Sequence, residues 1–414
     1  MKLVRPTTAA WRDPAQYWPQ LAAATADLDP PYGVVSLEAL AHNAFDLLDR
    51  AHGTPIRVAS KSVRVRGIID AVLALPGYAG VLAYTLPEAN WLATSGADGD
   101  AITDVVVAYP TADRGALREL ASSPELAARV TIMVDSVEQL DFIDSVVAPG
   151  NREAIRVCLE LDASYITPMF GHIGVYRSPL HTAAQARAFA DVVVARPGFR
   201  LVGMMGYEAQ IAGLVNKPAG NPLRGLAVTF LQSRSKVELA DRRAAAVAAV
   251  REVADLEFVN AGGTGSIESS VAESAVTEVA AGSGLFGPHL FDNYSHFHPA
   301  PAAAFALSVV RKPSPETAVL LGGGWVASGP AGSDRLPKIV WPADAGLVAR
   351  EMAGEVQTPL TGAGAARLAV GDRVWLRHTK AGELSEHLDD FAVVDGGAVV
   401  ETVPTYRGQG RVFL

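Results

Sequence analysis

Eight short apolar runs, most of them followed by a stretch that favours helix, constrain this chain more than any other feature. They are IRVAS (56–60), VLAYT (81–85), VVVAY (105–109), VTIMVD (130–135), IRVCLEL (155–161), LVGMMGY (201–207), LEFVNA (256–261) and TEVAAG (277–282). Each is continuously apolar rather than alternating, the pattern of parallel strands buried on both faces. Helix is expected over 65–75, 86–95, 112–127, 136–147, 181–195 and 223–254, with a short, Ser-rich stretch at 265–275. Leu86-Pro87-Glu88 makes a good first turn, and Ser136 followed by Gln139 suits an N-cap. Eight strands with intervening helices, spread over about 230 residues, predict a (β/α)8 barrel. A doubly wound open sheet has the same periodicity.

The texture changes after Pro299. Helical runs become scarce, and FALSVV, TAVLLGG, RVWLRH, DDFAVVDGG and AVVETVPTY follow one another between Gly-rich turns. These pieces read as a β-rich domain. The early run VVSL (34–37) is left over from the barrel count and is expected to pair with that domain. The expected organisation is a barrel at 38–298 and a β-rich domain made of 1–37 and 299–414.

With 414 residues the chain exceeds one ordinary core, and 49% hydrophobic against 19% charged residues suits packed globular structure. A net charge of -9 without a long basic run disfavours nucleic acid and anionic membrane surfaces. The single cysteine, Cys158, excludes an intrachain disulfide and is expected to be an inert core thiol. The N-terminal MKLVRPTTAAWRDP has no apolar signal core, and no run approaches membrane-spanning length, so a cytoplasmic protein is expected.

Chemistry in such a barrel sits at the C-terminal ends of the strands. The first strand closes on Lys61, where a desolvated amine can form an imine. The seventh runs into NAGGTGS (260–266) and the eighth into AGSGLFG (281–287). Glycines let the backbone approach an anion, and the loops after strands seven and eight frequently hold phosphate. An imine-forming lysine together with a phosphate site suits a class I aldolase with a phosphorylated substrate. It suits pyridoxal phosphate equally well.

The ordered set RVASKSVR, GYEAQ, NAGGTGS and EVAAGSGLFGPHLFDNY, followed by a β-rich tail, resembles the alanine-racemase-type pyridoxal-phosphate enzymes. More narrowly, it resembles the D-threonine aldolase and D-serine dehydratase family. The resemblance implies that Lys61 carries the cofactor as a Schiff base. It implies that Gly262, Gly263, Thr264, Gly265 and Ser266 hold the phosphate, helped by Gly282, Ser283 and Gly284. It also places Tyr207 beside the ring, Arg177 near the cofactor, and Tyr294, in the D-x-Y of that family, facing it. A homodimer acting on a small amino acid is implied as well.

Two departures matter. Gln210 stands where a histidine is common, and an amide cannot act as a general base. Metal-dependent relatives take a histidine and a nearby Cys or Asp from the β domain, whereas RVWLRHTKAGELSEHLDD offers His378, Glu383, Glu386 and His387. His378 and Glu383 are the candidate ligands for zinc or manganese, with His378 also a catalytic candidate. The histidines of GPHLFDNYSHFHP are expected to be structural rather than metal-binding. The expected activity is a pyridoxal-phosphate lyase on D-configured β-hydroxy amino acids, by retro-aldol cleavage or dehydration. A racemase of the same fold and a non-catalytic cofactor-binding protein are the alternatives.

Overall fold

The computed structural model describes residues 1–414 apart from Met169, Phe170, Ala219, Ala331 and Ala381. A first strand, β1 (Tyr32–Ser36), precedes the barrel. The barrel strands follow: β2 (Ile56–Ala59), β3 (Tyr78–Ala83), β4 (Val105–Val107), β5 (Val130–Val134) and β6 (Ile155–Glu160). A small hairpin, β7 (Tyr165–Thr167) with β8 (Gly171–Ile173), interrupts the series, which resumes with β9 (Phe199–Gly206), β10 (Phe258–Ala261) and β11 (Glu278–Ala281). The eight barrel strands pair in parallel and close through β11 against β2, with Val279 opposite Ile56. The eight apolar runs are thus the eight staves of a closed (β/α)8 barrel, and the open-sheet reading falls. Helices occupy Arg66–Leu73, Leu86–Leu92, Val137–Val146, Ala183–Ala195 and Pro222–Arg251. The stretch expected as one helix at 112–127 is two, because Ser123 is extended and caps a new helix that begins at Pro124.

The barrel interior is filled by Leu82, Val106, Met133, Cys158, Val202 and Phe258 among others. Cys158 is fully buried, and desolvation holds its thiol well above the ordinary range, so it is an inert core residue. One ion cluster is built into this apolar wall. Arg57 sits over the Phe258 ring, donates twice to Glu278 at 2.8 Å and pairs with Asp104 at 2.9 Å, while Asn260 also donates to Glu278. Arg57 is 2% exposed and Glu278 9%, so these two charges depend on each other for solvation, whereas Asp104 is half exposed.

The chain divides into two compact units: Leu47–Ser60 with Leu73–Ala281 and the last two residues, and Met1–Asp46 with Lys61–Val72 and Gly282–Val412. The second unit carries a nine-stranded mixed sheet of β1 with β12 (Ala303–Ser314), β13 (Thr317–Leu321), β14 (Lys338–Trp341), β15 (Gly346–Leu347), β16 (Gln357–Thr361), β17 (Arg373–Arg377), β18 (Asp390–Asp395) and β19 (Ala398–Pro404). As the leftover run suggested, β1 pairs antiparallel with β12 and parallel with β18. An N-terminal helix, Pro14–Ala24, capped by Asp13, buries Trp18 against Trp375, which also meets Tyr32 edge-on.

Replacing Arg57 with Ala should lower stability by about 3–5 kcal/mol, because Glu278 is left buried and unpaired. An Arg57→Met, Glu278→Met double variant should recover most of that loss. Chemical denaturation measures both, and a loss below about 1 kcal/mol in Arg57→Ala would show that the cluster is dispensable.

Candidate active site

A barrel of parallel strands delivers all eight C-terminal ends to one rim, and the following residues carry the polar chemistry. After β9 come Tyr207 and Glu208. After β10 comes the turn Gly262–Ser266, in which the Gly263 carbonyl accepts from Ser266 N–H at 2.9 Å. Gly262 has φ +81°, a conformation that favours glycine, and a Cβ there would stand 3.1 Å from Ser270 Oγ. A Cβ on Gly263 would stand 2.9 Å from Tyr207 Cε2 and 3.4 Å from the Ala212 methyl. The glycine at 263 is therefore the floor on which the tyrosine ring lies.

Glu208 braces this turn from beneath. It is 1% exposed and accepts from Gly262 N–H at 3.3 Å, Ser266 Oγ at 3.0 Å, Ser270 Oγ and the Arg243 guanidinium at 3.0 Å. Arg243, equally buried, also pairs with Glu273 at 2.7 Å. Ser266 is thus committed within the turn, since its hydroxyl also accepts from Gly263 N–H. Arg50 donates to the Thr264 carbonyl at 2.6 Å and fixes the far side.

Arg177 lies between two aromatic rings, 5.4 Å from the centre of Tyr109 and 5.2 Å from that of Tyr207. Its guanidinium is 4.0 Å from Glu160, the last residue of β6. Desolvation pushes the Tyr207 hydroxyl up to about 12, helped by Glu208 and opposed by Arg177. Desolvation likewise pushes Glu160 up to about 7. Arg177 acts against the shift, and Asp135 and Asp162 act with it. Asp162 accepts from His181 Nδ1 or shares its proton at 2.9 Å, and takes the Ser164 hydroxyl at 2.5 Å. Gln210 is a structural amide: its nitrogen donates to the Ala163 carbonyl at 2.6 Å and to Ser235 Oγ at 2.9 Å.

The remaining candidates lie in the other unit. The chain leaves β2 through Ser60, whose hydroxyl donates to the Leu82 carbonyl, and the next residue is the half-buried Lys61. The segment after it is fastened to the turn following β17. Ser385 Oγ donates to the Val63 carbonyl at 2.7 Å, Arg64 pairs with Glu386 at 2.6 Å, and a Cβ on Gly382 would stand 2.4 Å from the Lys61 carbonyl. His378 belongs to that same turn. Burial, then Arg377 and His289, push its imidazole down to about 3, so it is neutral at physiological pH. Gly282, Ser283 and Gly284 begin a short helical turn after β11, and the Leu285 carbonyl in it accepts from Asn43 Nδ2 at 2.9 Å. Tyr294 packs in an aromatic cluster with Phe291 and Phe297. Beside it Asp292 takes both Arg377 and Lys338.

Glu208, Arg243 and Glu160 were missed in the sequence. Glu208 stood in plain view inside GYEAQ, and Glu160 closes a barrel strand as Lys61 follows one. Arg243 lies in an Ala-rich helix with no local signal. Among the described residues, no three His, Cys, Asp or Glu side chains gather closely enough to hold a metal ion. Nor is any helix there long and apolar enough to cross a membrane.

Glu160 keeps its proton in the folded chain up to about pH 7, whereas the ordinary value is 4.5. The folded state thus binds more protons than the unfolded one between those values, and stability falls as pH rises through that window. Glu160→Gln should gain about 1–3 kcal/mol on the wild type at pH 8 relative to pH 5. Thermal unfolding across this range checks it, and a pH-independent difference would contradict the assignment.

The sequence profile described as alanine racemase, N-terminal domain, matches residues 35–289. The 3-hydroxy-D-aspartate aldolase of Paracoccus denitrificans is 24% identical over 270 residues, which are 63% of this chain and 61% of that protein. Thus the chain spans less than two thirds of that relative's length. D-threonine aldolase from Filomicrobium marinum superposes with a TM-score of 0.76 at 21% identity, covering 94% of this chain and 97% of that one. D-threo-3-hydroxyaspartate dehydratase from Delftia sp. HT23 gives 0.69 at 21% identity over 92% and 98%. A dehydratase of that name carrying a cysteine-to-alanine change is described in a metal-free form. The profile spans well over half of the sequence, and the chain belongs to the alanine racemase N-terminal domain family.

Proposed function

We propose that this chain is a pyridoxal-phosphate lyase acting on D-configured β-hydroxy amino acids. The observation that carries the reading is the glycine turn 262–266, pressed against the Tyr207 ring and braced by Glu208. A side chain at 263 would collide with the Tyr207 ring, so the turn keeps its backbone close to the ring, and glycine turns of this kind suit phosphate. Thr264 and Gly265 complete it, and Gly282, Ser283 and Gly284 leave the neighbouring strand β11 at the same rim. β10, β11 and β2 are consecutive in the barrel, so Lys61 follows the third of three adjacent strand ends. The relatives' names supply the substrate class: D-threonine and 3-hydroxy-D-aspartate both carry a hydroxyl on the β-carbon.

In this reading Lys61 Nζ holds the cofactor covalently, and Tyr207 and Arg177 border it. When bound, the cofactor supplies an electron sink for the bond broken beside the substrate α-carbon. The chain's own residues do the rest. Tyr207 and Gly263 fix the plane of the site by contact. Arg177 contributes a positive charge held in place by two rings and Glu160. Glu160 has a carboxyl raised to about 7, and the neutral His378 ring offers one nitrogen as a hydrogen-bond donor and the other as an acceptor. Tyr294 and Ser266 act through the packing of the loops they belong to. The reading extends to a homodimer working in the cytoplasm.

Borohydride reduction and peptide mapping should place the label on Lys61; a label on Lys380 instead would overturn the assignment. Gly263→Val should abolish cofactor retention while leaving the far-ultraviolet circular dichroism unchanged, since the added methyls meet the Tyr207 ring. The purified enzyme should convert D-threonine or D-3-hydroxyaspartate to an aldehyde or a keto acid and leave the L-isomers untouched. Conversion of neither, in fully loaded protein, would remove the lyase.

A further inference from the structure

The turn after β17 encloses a cavity of about 10 Å³, the room of a single water. Phe305, Trp325 and Leu384 wall it on the apolar side, and His378, Lys380 and Glu383 on the polar side. Trp325 is itself clamped, stacked on Phe305 at 4.3 Å and on His387 at 4.7 Å. Both ring nitrogens of His378, which is 5% exposed, and Oε2 of Glu383 are buried without a hydrogen-bond partner among the described residues. Buried polar atoms are seldom left so, and three around one cavity mark a site made for a small polar occupant.

A divalent ion is the occupant that the resemblance suggests, and the polar wall opposes it. Two side chains supply donors, and the third, Lys380, is a cation. Its ammonium donates to the Ser328 carbonyl at 3.3 Å, while the N–H of that same residue donates to Glu383 Oε1 at 3.0 Å. Ser328 thereby fixes Lys380 and one carboxylate oxygen of Glu383 at its two ends. A divalent ion held by His378 and Glu383 would lie in a cavity that Lys380 also lines and meet the repulsion of its charge.

We propose that the cavity is closed to divalent metal by Lys380, whose ammonium supplies the site's positive charge, and that it holds instead one water or one substrate hydroxyl between His378 and Glu383. This rests on the lyase reading for its place in catalysis, but not for the ion specificity itself. His378 serves the occupant's oxygen as donor or acceptor according to its tautomer, and Glu383 Oε2 accepts its proton.

The test uses the holoenzyme, with cofactor loading read independently from its visible absorbance. Wild type, Lys380→Asp and Lys380→Met are treated with chelator, exposed to Zn2+ or Mn2+, desalted and assayed for bound metal. Wild type should retain less than about one-tenth of an ion per chain, and chelator should change its turnover less than about twofold. Lys380→Asp should retain about one ion per chain, and this should vanish when His378→Ala is added. Lys380→Met, which removes the charge without adding a ligand, should take up metal more weakly than Lys380→Asp and keeps the test valid if the aspartate variant misfolds. A stoichiometric ion in wild type, lost with His378→Ala, would overturn the proposal. So would failure of both Lys380 variants to bind any ion. Loss of cofactor absorbance in wild type would indict the lyase reading and leave the metal result standing.

Discussion

The glycine turn at the barrel rim depends on one buried carboxylate. Glu208 carries a negative charge where almost no water reaches it, and it is solvated by two serine hydroxyls, one backbone N–H and the Arg243 guanidinium. A buried charge without such partners would cost several kcal/mol, so the turn 262–266 cannot drift without exposing that cost. The glycine turn is therefore rigid because an ion pair beneath it is intolerant of rearrangement, although glycine itself confers freedom. The same carboxylate follows Tyr207 directly, so the ring and the turn are positioned by adjacent residues.

Arg57 and Arg243 show two uses of buried charge in one barrel. Arg57 lies toward the N-terminal ends of the strands, with Glu278 the first residue of β11, and its cluster ties neighbouring strands together. Arg243 comes from a helix outside the barrel and reaches strand-end residues of β9, through Glu208 and the Gly206 carbonyl. The buried charge at Arg57 serves the closure of the sheet; the one at Arg243 serves the geometry of a rim.

The strands were readable because burial on both faces of a parallel strand leaves continuous apolar runs, and only the closure of β11 on β2 separates the barrel from an open sheet. The β1 crossover was readable by subtraction. The β-rich strands β14, β15 and β16 were not, because WPADAGLV and QTPLT interrupt themselves with proline and polar residues. The helix at Leu37–Ala51 was passed over although its sequence is amphipathic. In the site, Tyr207, Arg177 and the glycine turn were legible through their motifs, and the structure brings these together. Their supports were not: Glu208 meets Arg243 across 35 residues and Ser270 across 62, and no local pattern announces such partners. Ser266 was read as a phosphate ligand from its motif, and only the coordinates reveal that its hydroxyl is engaged with Glu208 and Gly263.

The position of β1 in its sheet has a consequence for synthesis. Residues Tyr32–Ser36 lie between β12 and β18, so their parallel partner, Phe391–Val394, leaves the ribosome about 360 residues later. At roughly 5–20 residues per second, the apolar segment YGVVS waits on the order of half a minute for its partner. Both edges of a strand with no charge and no interior proline are open to other chains until β12 emerges, about 270 residues after it, and the edge toward β18 stays open for the rest of the interval. Nascent copies on neighbouring ribosomes are then as available to β1 as its own C-terminus, and yield in the cell becomes a contest between translation rate and chaperone cover.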